Sequence, residues 1–205
     1  MPRRLSMLIL SLIILTPVLL DGGQVKAASP CAKGPNVFVI GDSLTASTVQ
    51  AGGLASRLCT AGFQSTLRPV NGLATWNATE TLKDAVRRRE VGPVVIAALG
   101  TNDAKFAMSS AQFGRRVDAF LAAADGRTVL WVNLRTRAFA ADSVRLNQVL
   151  AAKARSERRL VVLDWASNPS SNDLVSDGIH LVPAASVARA KFLAAQLKAW
   201  FSTKK

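Results

Sequence analysis

The chain contains one histidine, His180, in the run Ser176-Asp177-Gly178-Ile179-His180. Far upstream, Gly41-Asp42-Ser43-Leu44 follows a short apolar run and opens an amphipathic one. A hydroxyl nucleophile, an imidazole that can take its proton, and a carboxylate that orients the imidazole are the parts of a hydrolytic triad. Ser43, His180 and Asp177 are of those three types. Imidazole is the side chain whose ordinary pKa lies nearest neutrality, so His180 is the first candidate for proton transfer. Each residue also has a plainer reading. Gly-Asp-Ser can be a turn with a helix cap, Asp-Gly is a common turn pair, and a single histidine can be structural.

Such residues act together only if the fold brings them to one place. From residue 36 onward, short apolar runs alternate with longer amphipathic ones. Runs 36–40, 65–70, 94–99, 128–133 and 160–163 predict strands. The third and fourth are almost continuously apolar, as strands covered on both faces are. Segments 45–61, 79–91, 109–124, 142–158 and 183–201 predict helices, with Ser109 as a cap and Pro183 in a first turn. This alternation implies an α/β fold with a five-stranded parallel sheet and helices on both faces. Sites in such folds lie beyond the carboxyl ends of the strands. Ser43 follows strand one, Asn71-Gly72 strand two and Gly100-Thr101-Asn102-Asp103 strand three, while Asp177 and His180 follow strand five. All of these fall on one edge of the expected sheet.

These blocks resemble the SGNH, or GDSL-type, hydrolases. That family carries a Ser in Gly-Asp-Ser, a Gly after strand two, an Asn in Gly-x-Asn-Asp and a C-terminal Asp-x-x-His. Ser43, Gly72, Asn102 and the Asp177/His180 pair stand here in that order. The resemblance implies a three-layer, flavodoxin-like sheet, with Ser43, Asp177 and His180 catalytic. The oxyanion hole would consist of the Ser43 and Gly72 amides and the Asn102 side chain. Segments 131–133, 163–165 and 177–181 look closest to the branch that includes extracellular domains of peptidoglycan and polysaccharide O-acetyltransferases. The chain departs from the family at Ser47, where relatives often have glycine four residues after the nucleophile. It also lacks the branch's membrane acyl-donating domain. The implied activity is that of a serine esterase removing short acyl groups, acetyl foremost, from a carbohydrate or cell-wall polymer. Two alternatives stay open: acyl transfer to a glycan hydroxyl beside a membrane donor, and non-catalytic binding to the wall.

Physical reasoning supports those roles independently. A serine at a helix N-terminus sits where backbone amides favour a developing anion, and a glycine lets the backbone approach substrate closely. Asp42 and Asp103 are expected to organise loops. Trp76 reads equally well as part of a substrate subsite or as a lid over the loop. One His, two Cys and scattered carboxylates offer no metal-ligand cluster, and no Gly-rich phosphate loop appears, so neither metal nor cofactor is expected. Gly-x-Ser-x-Gly is missing because Thr45 occupies its last position, which disfavours an ordinary lipase-type α/β-hydrolase.

Residues 1–27 read as a secretory signal peptide. Arg3 and Arg4 precede an apolar stretch over 7–20, and Val25-Lys26-Ala27 places small residues at the −3 and −1 positions of a cleavage site. An uncleaved anchor is the alternative. Residues 28–205 would then be one exported domain, expected to be monomeric. In an oxidising compartment Cys31 and Cys59 would pair as a disulfide. The formal net charge of +13 would attract polyanions such as an anionic cell-wall polymer. Nucleic acid is not expected as a partner, for the chain shows no recognisable binding module and no Tyr.

Overall fold

The computed structural model describes Cys31 and residues 33–204. The expected signal peptide, 1–27, lies outside the described residues. Five strands form the sheet: β1 (Asn36–Gly41), β2 (Gln64–Pro69), β3 (Val94–Ala98), β4 (Thr128–Val132) and β5 (Leu160–Leu163). Their order is β2-β1-β3-β4-β5 and every pairing is parallel. The α/β class, the strand number and the parallel direction agree with the sequence reading. The helices are α1 (Ser43–Gln50), α2 (Leu54–Thr60), α3 (Thr75–Arg87), α4 (Thr101–Lys105), α5 (Ser110–Ala123), α6 (Ala140–Ser156) and α7 (Pro183–Ser202).

The pleat explains why the strands are apolar on both faces. Phe38, Ile40, Val95, Ala97, Val129 and Trp131 point to one side, where they meet Leu82, Phe113, Phe120, Leu146 and Leu150 of α3, α5 and α6. Val37, Val39, Val94, Ile96, Leu130 and Val132 point to the other, against Leu54, Leu58, Leu193 and Leu197 of α2 and α7. The result is a three-layer α/β/α sandwich with two cores. Trp131 is fully buried, stands edge-on to Phe120, and donates its indole N–H to the Leu99 carbonyl at 3.1 Å. That bond satisfies the polar edge of a ring at the centre of the first core.

Three boundaries differ from the sequence expectation. The helix expected over 45–61 is two helices, broken at Gly52-Gly53, the pair with the lowest helix propensity in the segment. A side chain at position 52 would collide with the Ser186 carbonyl, 2.5 Å from the place of its β carbon, so the break also lets α7 approach. Helix α3 starts at Thr75 rather than 79, for a reason that belongs to the site. Helix α4 is a single short turn that carries no periodic signal. The expected cap at Ser109 is a capping box: its hydroxyl accepts the Gln112 amide, and Gln112 returns to the Ser109 amide.

Cys31 and Cys59 form a disulfide with Cα atoms 5.4 Å apart. It fastens the start of the described chain to α2. At Ser47, where the resembling family often has glycine, the added hydroxyl accepts a hydrogen bond from Ser186 of α7 at 3.2 Å.

Candidate active site

Parallel pairing sets the strand ends level. Gly41 is in register with Pro69 of β2 and with Ala98 of β3, so the segments after β1, β2 and β3 emerge side by side. A β carbon at Gly41 would lie 2.1 Å from the Thr45 hydroxyl and 2.7 Å from the Ala98 carbonyl. Only glycine permits the tight exit from β1 into α1. Asp42 then caps α1, its side chain accepting the Leu44 amide at 3.0 Å. Ser43 is thereby fixed as the first residue of the helix.

His180 reaches Ser43 from the far side of the sheet. After β5 at the edge, the chain must return across the strand ends, and a chain of hydrogen bonds holds it there. Asn133, at the end of β4, donates to Asp164 and accepts the Ala166 amide, both at 2.7 Å. Beyond a 3-10 turn at Pro169–Asn172, an antiparallel bridge joins Leu174 to Leu181. Asp177 and Gly178 form the tip of this hairpin. Gly178 has φ of +70°, its carbonyl accepts the Arg137 and Ala138 amides, and an added β carbon would come within 3.0 Å of the Ala138 nitrogen. The Asp-Gly pair is therefore a turn, as its plainer reading had it, and that turn aims the imidazole.

The geometry at the tip is specific. The Asp177 Oδ1 accepts the amides of Ile179 at 2.8 Å and His180 at 3.0 Å. Its Oδ2 lies 2.6 Å from His180 Nδ1, and His180 Nε2 lies 2.9 Å from Ser43 Oγ. The His180 hydrogen bond, helped by the two amides, lowers the Asp177 pKa to about 2. An ionised carboxylate can only accept, so Nδ1 carries the ring proton and Nε2 is left to accept from the Ser43 hydroxyl. The imidazole and carboxylate side chains remain 46% and 43% exposed. Ser43, His180 and Asp177 thus form one hydrogen-bonded series, and the His180–Asp177 pair is open to solvent.

The other two sequence candidates lie beside them. Asn102 donates from Nδ2 to the Leu73 carbonyl at 3.1 Å, which ties α4 to the loop that carries Gly72 and leaves its second amide proton available. Gly72 adopts a φ of +73°. No atom lies within 4 Å of where its β carbon would be, so the backbone angle, not a close contact within the chain, requires glycine here.

Two buried carboxylates frame the site, in keeping with loop-organising roles for Asp42 and Asp103. Asp103 accepts both the amide and the hydroxyl of Thr75, at 3.1 and 2.9 Å. It thus supplies the helix cap that Ala74 cannot, which is why α3 begins at Thr75. Burial raises its pKa, partly offset by those hydrogen bonds. Burial likewise raises that of Asp42, opposed chiefly by the charge of Arg189. Arg189 is buried on α7 and donates to Thr48 of α1 at 3.2 Å. Neither Thr75 nor Arg189 carries a local sequence signal; each is recognised only through a partner distant in the chain.

The fold recurs in solved structures. A lipase/acylhydrolase from Enterococcus faecalis superposes with a TM-score of 0.68 at 18% identity, over 80% of this chain and 95% of that one. The fold is that of the GDSL/SGNH hydrolases. Members of the lipolytic G-D-S-L family from Desulfitobacterium hafniense and Veillonella parvula share it. Within the same fold, the C-terminal catalytic domain of Streptococcus pneumoniae peptidoglycan O-acetyltransferase A matches with a TM-score of 0.65 at 15% identity, over 83% of this chain and 94% of that one. An acetylxylan esterase from Geobacillus stearothermophilus matches with a TM-score of 0.63 at 12% identity, over 80% and 94%. No family model and no curated protein sequence matches the chain.

Proposed function

We propose that the protein is a serine esterase that removes acetyl or similarly short acyl groups from a carbohydrate or cell-wall polymer. The observation that carries this reading is the continuous hydrogen-bonded series Ser43 Oγ, His180 Nε2, His180 Nδ1 and Asp177 Oδ2, with separations of 2.9 and 2.6 Å. Ser43 Oγ attacks the ester carbonyl carbon as its proton passes to His180 Nε2. The negative oxygen is received by the Ser43 and Gly72 amides and the free Asn102 amide proton. Collapse breaks the bond to the alcohol, which leaves with the proton from His180, and Ser43 keeps the acyl group. Water then attacks the acyl carbon as its proton passes to His180, and collapse breaks the bond to Ser43 Oγ, which takes the proton back as the carboxylic acid leaves. Asp177 stays ionised and stabilises the imidazolium formed at each step.

Solvent exposure of the His180–Asp177 pair suits a substrate too large to be enclosed, such as a polymer chain. Exposed Arg115, Arg116, Arg135 and Arg155, with the net charge of +13, favour an anionic one. The protein acts as an exported monomer. The Cys31–Cys59 disulfide, which persists in oxidising compartments, and the leader-like residues 1–27 support export.

The test is release of p-nitrophenol from p-nitrophenyl acetate by the purified protein beside Ser43→Ala. Turnover that the substitution abolishes is expected; turnover that survives it would exclude the Ser43 reaction. Likeness to an O-acetyltransferase catalytic domain favours one second reading, in which a glycan hydroxyl replaces water. Acetylated glycan accumulating when the acceptor is added, with p-nitrophenol release accelerated, would select that reading.

A further inference from the structure

Asn102 and Phe106 are four residues apart, and the Phe106 amide donates to the Asn102 carbonyl at 3.1 Å, so the helical turn of α4 is complete between them. Side chains at that spacing share one helix face. The chain then closes α4 by a bond from the Met108 amide to the Asp103 carbonyl, with Ala107 at φ 49°. Phe106 is left 60% exposed, one turn from the candidate oxyanion donor. A large aromatic in that position costs free energy in water and has no role in either core.

Two neighbours give it a chemical direction. Trp76, half-buried at the start of α3, packs against Phe106 with ring centroids 6.0 Å apart. Its placement is fixed, because Asp103 anchors the preceding Thr75 through two hydrogen bonds. Arg116 of α5 lies over the Trp76 ring, 5.6 Å from its centroid. Arg116 is an exposed residue. Asp118 on the same helix is engaged by Lys153, and Asp103 is buried on Thr75. Arg116 therefore presents a planar set of donors to solvent beside an exposed aromatic face.

We infer that Phe106, Trp76 and Arg116 form a subsite for one sugar ring of an acidic glycan, adjoining the bond cleaved at Ser43. A pyranose has a C–H face and a polar rim. Its C–H face fits the electron-rich face of Phe106, with Trp76 as backing. A ring carboxylate fits the guanidinium fork of Arg116, which matches carboxylate geometry in two parallel hydrogen bonds. This deepens, and rests on, the esterase reading of the Ser43 site. It resolves the two roles open to Trp76 in favour of the substrate.

The experiment uses binding rather than turnover, so it stands apart from the p-nitrophenyl acetate test. Ser43→Ala protein is titrated calorimetrically with oligogalacturonate, with an unsubstituted xylo-oligosaccharide as neutral control. The acidic oligosaccharide is expected to bind more tightly than the neutral one. Adding Phe106→Ala or Arg116→Gln should each weaken it about tenfold, the scale of one charge-assisted or well-buried contact. Added salt should weaken the parent more than the Arg116→Gln protein. Equal affinity for the two oligosaccharides, or affinity unmoved by both substitutions, overturns the inference. Both side chains are exposed, and an unchanged melting temperature confirms that either variant is folded. If p-nitrophenyl acetate is not hydrolysed while this pattern holds, the esterase reading fails, and with it the subsite's place beside a cleaved bond, while binding of an acidic sugar at Phe106 and Arg116 stands.

Discussion

At the scale of single residues, the function of His180 depends on which of its nitrogens holds the proton. The pKa of Asp177, lowered to about 2, keeps that carboxylate ionised near neutrality, where it holds Nδ1–H in place. Asp177→Asn keeps an oxygen for the Ile179 and His180 amides but loses the charge, and its new N–H2 can turn toward Nδ1 and favour the other tautomer. It should reduce kcat for p-nitrophenyl acetate by ~10³–10⁴ with the melting temperature little changed. A reduction under about tenfold would mean that Asp177 does not orient the base. The candidate grouping of Ser43, Asp177 and His180 is legible in the sequence because its parts are local: a motif at a strand exit, and a carboxylate three residues before the sole imidazole. Arg189 is not, since its partners Thr48 and Asp42 lie about 140 positions away, on α1 and at its cap. A basic residue on an amphipathic helix gives no sign that it is buried.

At the scale of elements, local pattern located the strands almost to the residue, because a run apolar on both faces has few other uses. Helix ends were less legible. The Ser109 box announces itself within four residues, whereas α3 is capped by Asp103 from a different loop. That remote cap has a measurable consequence. Burial raises the Asp103 pKa in the folded state, so the folded protein binds the proton more tightly than the unfolded chain does. The resulting stability is fully present below the ordinary carboxylate value and is lost as pH rises through the raised one. Asp103→Asn cannot titrate. The unfolding free energy of the wild type minus that of this variant, measured in urea, should therefore fall as pH rises above the ordinary carboxylate value of about 4. A difference that stays level or grows across that range would show that Asp103 does not carry the raised pKa.

At the scale of the whole molecule, the sheet does one thing for function: it sets three strand ends level and lets a long return from β5 close over them. The order β2-β1-β3-β4-β5 puts Ser43 at the end of β1, an interior strand, and β5 at the opposite margin of the sheet. The bracing by Asn133, Arg137 and Gly178 is therefore what makes a triad from parts 137 residues apart in the chain. Sequence order showed that the polar motifs share one edge of the sheet. It did not show the hairpin that spans it, because the pairing of Leu174 with Leu181 is brief and aperiodic. The most direct test of the central claim, that Ser43 is the covalent nucleophile, is titration of the purified protein with diethyl p-nitrophenyl phosphate, followed by peptide mass mapping. One diethylphosphoryl group per chain is expected, on the peptide containing Ser43, with esterase activity lost in proportion to labelling. Full activity after exhaustive treatment, or a label on any other residue that tracks the loss, would contradict it.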